Sequence, residues 1–186
     1  MGFTVSGWAV IGVLRATKRE WGSGTVAELV SQMSGESSSI FGAPLHASST
    51  YPDSCLTELM AVAEQNKGKG AVAAMGRGTG ALAVNEVFPI YQQMVSIERF
   101  LKSFPRLWEK MTQGAGRFDI VEMQEDGAIV RLVDYPEMPE PWCRFLGGWI
   151  GGAVQNVSNK EEVDVRERAC PRNGGPCHEY QLTWSQ

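Results

Sequence analysis

The hydrophobic period of this chain changes once, near Gly114, and that change limits the fold more than any other feature. Before it, apolar residues recur at helical spacing. Trp8, Ile11, Val13, Leu14 and Trp21 share one stripe that Gly22 closes. Thr25 and Glu28 have capping-box spacing ahead of Leu29, Val30 and Met33, which predicts a second helix. The Ser- and Gly-rich stretch 34–50 reads as a loop and a candidate mobile lid. Pro52 and Asp53 open a third helix through Leu56, Leu59, Met60 and Ala63 to Gly68, and a fourth covers 71–84. Gly76, Gly78 and Gly80 weaken that fourth helix, so they point to close helix packing or a break. A helix over 87–103 and a last turn or helix from Pro105 complete the first 113 residues.

After Gly114 the period is two. Phe118 to Met123, an Asp126-Gly127 turn and Ile129 to Val133 predict an antiparallel hairpin. Trp142 to Val154 is an apolar helix with Gly147, Gly148, Gly151 and Gly152, expected to lie across the sheet. Val163 and Val165, the loop 171–176, then Tyr180, Leu182 and Trp184 predict a second hairpin. The expectation is a single α+β domain over 1–186, mainly helical over 1–113 and strand-strand-helix-strand-strand over 114–186.

Seventeen basic against twenty-one acidic residues give a net charge of -4, which supplies no general attraction for a phosphate backbone, so nucleic acid is not an expected partner. Apolar runs fall short of the ~20 residues of a bilayer span. The amino-terminal stretch lacks the pattern of a secretory signal, and a cytoplasmic setting is the expectation. With four cysteines, free thiols or metal ligands are expected rather than disulfides.

Candidate sites are few. Cys170 and Cys177 bracket a Gly- and Pro-containing loop, and Cys143 is a third thiol that the fold can bring near them. Zinc is the ion such a set would hold, with His178 or Cys55 as fourth ligand; simple burial of the thiols is the competing reading. The glycines around Lys69 and Arg77 lack the register of a phosphate loop. His46 and His178 are the two histidines, and Asp53, Glu58, Glu86 and Glu98 form no evident acid-base pair, so no enzyme is expected. Tyr91, Met94, Phe100, Phe104, Trp108, Trp142, Phe145 and Trp149 either line an apolar ligand pocket or fill an ordinary core.

Several segments together resemble the 4-vinyl-reductase-like family: Phe104-Pro105-Arg106-Leu107-Trp108, Gly116-Arg117-Phe118, Asp134-Tyr135-Pro136, Trp142-Cys143, Gly147 to Gly152, and Cys170, Gly174, Cys177 leading into Tyr180 to Trp184. Its superfamily also includes haem-nitric-oxide-binding domains and trafficking-complex (TRAPP) subunits. The resemblance implies helices on an antiparallel sheet, a homodimer, and a non-enzymatic sensory domain for a small hydrophobic ligand. A protein-interaction adaptor without ligand is the alternative it implies. It also implies zinc on Cys143, Cys170 and Cys177. No proximal histidine with a Tyr-Ser-Arg set is found, so the sequence predicts no haem.

Overall fold

The computed structural model describes residues 2–87, 96–135, 137–158 and 162–185. It is an α+β fold in which N-terminal helices pack with a C-terminal antiparallel sheet. The helices are α1 (Gly7–Trp21), α2 (Ser23–Ser31), α3 (Gly35–Gly42), α4 (Asp53–Lys67), α5 (Ala71–Leu82), α6 (Ile97–Met111) and α7 (Glu140–Ser158). A π-helical turn at Ala83–Val87 extends α5. A small sheet joins β1 (Thr4–Ser6) to β2 (Thr50–Pro52) and β3 (Thr112–Gln113), and nothing in the hydrophobic period had marked it. The larger sheet holds β4 (Arg117–Met123), β5 (Gly127–Val133), β6 (Val163–Ala169) and β7 (His178–Trp184) in the order β4-β5-β7-β6.

The glycines of α5 and α7 are explained by their contact. A Cβ on Gly76 would run into the Phe145 carbonyl, and one on Gly80 into that of Trp149. The relation is reciprocal, since Gly148 meets the Ala73 carbonyl and Gly152 that of Arg77. Side chains there would force the helices apart, and their absence lets backbone touch backbone. Of the two readings of Gly76 and Gly80, close packing holds, and α5 continues through both without a break.

Three local expectations need correction. The stretch 34–50 is not all loop, because Gly35–Gly42 forms α3. Ser34 caps it, its Oγ accepting from the Ser37 amide, while the Glu58 carboxylate accepts from the Ser34 amide at 2.5 Å and from Ser34 Oγ at 2.8 Å. A partner on α4, distant in sequence, thus stabilises a helix of weak local propensity, and hydrogen bonding from the Ser37 side chain, with that from the Ser34 amide and hydroxyl, holds Glu58 below the usual carboxylate range. Thr25 does not cap α2. It lies inside the helix, and its hydroxyl donates to the Trp21 carbonyl at 2.7 Å. Pro105 does not separate two helices, since α6 runs through it from the Ser96 cap. Its apolar stripe of Phe100, Leu101, Phe104, Leu107, Trp108 and Met111 is buried on both sides of the proline, which offsets the cost of one missing hydrogen bond.

Candidate functional site: a thiol, imidazole and carboxylate cluster beside an aromatic interior

Helix α7 joins two features. At its first turns Cys143 points toward the end of the β6–β7 hairpin, where it meets Cys170, His178 and Glu167. The donor atoms of these four all lie within 4.8 Å of one another. His178 Nδ1 stands 3.0 Å from Glu167 Oε1 and 3.8 Å from Cys143 Sγ. Donors around one tetrahedral zinc ion stand roughly 3.3–3.8 Å apart, so the spacing fits a metal ion with little adjustment.

Strand geometry selects these residues. In β7 the side chains of His178, Tyr180, Leu182 and Trp184 turn inward, while Glu179, Gln181 and Thr183 alternate outward. The register of β6 against β7 shifts between Glu167 and Ala169. Such a bulge adds one residue to the alternation, which lets both Glu167 and Cys170, three apart, reach the same side. Cys177 precedes His178 and is only half-buried; it is not among the four converging groups, and His178 stands in the cluster instead. Cys55, the other candidate fourth ligand, is buried at the start of α4, where its thiol contacts the Pro52 carbonyl at 3.0 Å. Glu167 was missed because a carboxylate in an exposed, charged strand reads as a solvated face, and a bulge leaves no mark in composition.

The chemistry of the cluster is that of ligands rather than of a proton relay. A nucleophile and an orienting acid must use opposite nitrogens of a histidine, whereas Cys143 and Glu167 approach the same Nδ1. The other nitrogen, Nε2, is buried without a hydrogen-bond partner among the described residues. Burial, together with the Glu167 and Cys170 charges, pushes the Cys143 thiol up to about 12, so it stays protonated until a cation takes the proton's place. Tyr180 donates to the Cys143 carbonyl at 3.2 Å and thereby ties the start of α7 to β7.

Along α7 from Cys143 the interior becomes aromatic. Of the eight proposed lining residues, Phe100, Phe104, Trp108 and Trp149 join one ring cluster, in which Phe100 and Trp149 pack on Phe104 while Phe104 and Trp108 pack on Phe118. Ring centroids are 4.6 Å apart for Phe104–Phe118 and 5.2 Å for both Phe104–Trp149 and Trp108–Phe118. Trp142 and Phe145 belong to a second group with Phe3 and Tyr135. Tyr91 and Met94 lie outside the described residues.

The tryptophans differ in one respect. Trp108 donates to the Ala115 carbonyl at 3.0 Å, Trp142 to Thr57 Oγ1 at 2.9 Å and Trp184 to the Glu125 carbonyl at 3.0 Å. Trp149 is 1% exposed, and its Nε1–H has no acceptor among the described residues. A buried donor left unpaired costs about 1–3 kcal/mol, so this one calls for an acceptor from outside the described chain.

No family model matches the chain, and no curated protein does. Solved structures do. An H-NOX (haem-NO-binding) protein from S. oneidensis, solved in its Fe(II)NO state, is 11% identical with a TM-score of 0.72, covering 97% of this chain and 99% of its own. An Fe(II) unliganded H-NOX protein from K. algicida is 11% identical, with a TM-score of 0.69 and 97% of each chain covered. A protein solved in work on haem redox potential and porphyrin distortion is 17% identical, with a TM-score of 0.70 over 97% of this chain and 95% of its own.

These structures correct the expectation about haem. A missing Tyr-Ser-Arg set had set haem aside, but the solved proteins that share this fold over nearly its whole length hold haem, so a sequence motif alone does not exclude the group from such a fold. Of the two histidines, His46 is exposed, and His178 turns its Nδ1 toward Glu167 while its Nε2 is buried and unpartnered among the described residues. No helix among the described residues is long and apolar enough to cross a membrane.

Proposed function

We propose that this chain is a non-enzymatic sensory domain that binds a small molecule in the aromatic interior beside α7, with Trp149 as its polar anchor. The observation that carries the reading is the indole N–H of Trp149, buried among apolar rings and unpaired among the described residues, where the indoles of Trp108, Trp142 and Trp184 have acceptors. Such a site selects a largely apolar ligand that bears one acceptor atom. The likeness in fold to H-NOX proteins supports a sensory role, and a tetrapyrrole is one ligand class the test can return. The homodimer and the cytoplasmic setting belong to the same proposal. Nothing described favours an adaptor, since Val121 is the one large hydrophobic residue exposed among the described residues.

The second element of the proposal is a metal centre on Cys143, Cys170, His178 and Glu167, with zinc as the ion that suits two thiolates, an imidazole and a carboxylate. Its role is to fasten the start of α7 to the β6–β7 hairpin and so to fix the helix that carries Trp149.

Native mass spectrometry of the purified chain, beside Trp149→Phe, tests the reading. The expected result is an organic mass retained by the parent chain and lost from the variant. A polypeptide carrying no organic mass in both would overturn it. The same spectra report the subunit number and any bound metal.

A further inference from the structure

The four donors of the cluster are not equivalent. Cys143, Cys170 and His178 are 5%, 7% and 0% exposed, whereas the Glu167 side chain keeps 28% of its surface in solvent. Three buried donors and one at the surface differ from the closed arrangement of a purely structural zinc site, in which four firm protein ligands surround the ion. Glu167 also borders a surface cleft of about 420 Å³ that reaches Cys143 and Cys170 and has Arg144, Arg172 and Glu140 on its rim.

The rim charges are arranged in a chain. Arg144 is held by Glu64 at 2.5 Å and by Glu140 at 2.7 Å, and its Nε is buried without a partner. Arg172 approaches Glu140 at 3.8 Å, the outer limit of an ion pair, and its side chain is 49% exposed. Two arginines therefore stand beside the exposed ligand position, one of them loosely engaged. If Cys143 and Cys170 bind as thiolates, they cancel a divalent charge. A monoanion in place of the Glu167 carboxylate keeps the net charge of the ligand set, and the carboxylate it displaces adds one negative charge to a cleft lined by Arg144 and Arg172, whose guanidinium groups offset it.

We propose that this centre is open: Cys143, Cys170 and His178 hold the ion, and Glu167 yields its place to a small monoanion admitted through the cleft between Arg144 and Arg172. The proposal rests on the metal centre described above, and it gives that centre a ligand of its own, separate from the one at Trp149.

Cobalt(II) in place of zinc makes the coordination visible, and azide is the probe anion. Metal-free full-length chain is loaded with cobalt(II), its visible spectrum is recorded, and azide is added. The expected result is an intense thiolate-cobalt spectrum that shifts saturably with azide. In Glu167→Gln the spectrum should persist and azide should bind tighter, by about tenfold or more, because no carboxylate competes for the position. Cys143→Ser should lose the spectrum. A cobalt spectrum that azide leaves unmoved, or loss of cobalt from Glu167→Gln as complete as from Cys143→Ser, would overturn the open centre and leave a closed four-ligand one. Failure of the parent chain to take up cobalt would instead overturn the metal centre itself.

Discussion

The two faces of α7 are built on opposite terms. Toward α5 the helix presents Gly148 and Gly152, which fit against Ala73 and Arg77 so closely that no atom can be added. Toward the hairpin it presents Cys143, which meets three other polar groups where a donor is left unpaired and a thiol is held far above its usual range. The first face is complete within the chain. The second, and the indole of Trp149 further along the helix, are incomplete until something else supplies a charge or an acceptor. The contrast separates the part of the helix that fixes the fold from the parts to which we assign ligands.

The closed face should be the most sensitive to change. Gly80→Ala or Gly152→Ala should cost at least about 4 kcal/mol in urea unfolding, because the methyl meets helix backbone that cannot rotate away. A loss under about 1 kcal/mol would show that the seam can open, and the contrast between the faces would fail. The metal centre comes next. Zinc at a hundred- to a thousand-fold excess over its dissociation constant should stabilise the chain by about 3–4 kcal/mol in thermal melts, and Cys143→Ser should abolish that gain. An equal gain in the variant would place the zinc elsewhere.

Cys55 sharpens the comparison between thiols, since it is wholly buried but has no cluster around it. Burial, more than the nearby Asp53 charge, pushes its pKa from 9.0 up to about 11. A folded value above the unfolded one favours the protonated thiol in the native state. The stabilisation is therefore complete below about pH 9 and declines as the pH rises toward 11, by at most about 2 to 3 kcal/mol. Melting of the parent chain and of Cys55→Ala from pH 8 to 11 should converge over that window, and a constant difference would contradict it. The smallest effect is expected at Gly24 in α2, where a Cβ would meet nothing within 4 Å. Gly24→Ala should stabilise by about 0.5–1 kcal/mol, a glycine effect opposite in sign to that at the seam.

Much of the fold was legible because it rests on periodicity. The glycines of α5 and α7 repeat at helical spacing, and the hairpins show their alternation and turns. What stayed hidden depends on partners distant in sequence. The helix at Gly35–Gly42 needs Glu58, and the small sheet needs three short strands from separate parts of the chain. The cluster was legible only in part for the same reason. Cysteines mark themselves, so Cys143 and Cys170 were found, and His178 was named beside Cys55 as a fourth ligand, whereas strand parity and a bulge decide that His178 rather than Cys55 completes the set, that Glu167 joins it and that Cys177 is left outside. An unpaired indole cannot be read from sequence at all, because every acceptor in the fold must be placed before one is found missing.

The most direct measurement is the indole 15N–1H spectrum of tryptophan-labelled protein, as purified and after its retained small molecule has been removed. Trp149→Phe identifies the signal, and Trp108, Trp142 and Trp184, whose N–H groups are bonded within the chain, serve as internal references. The expected result is that the Trp149 signal alone moves upfield on removal, as a hydrogen bond to the ligand is lost. A Trp149 signal that stays in place, or one that moves together with those of Trp108, Trp142 and Trp184, would contradict the assignment of Trp149 as the ligand's anchor.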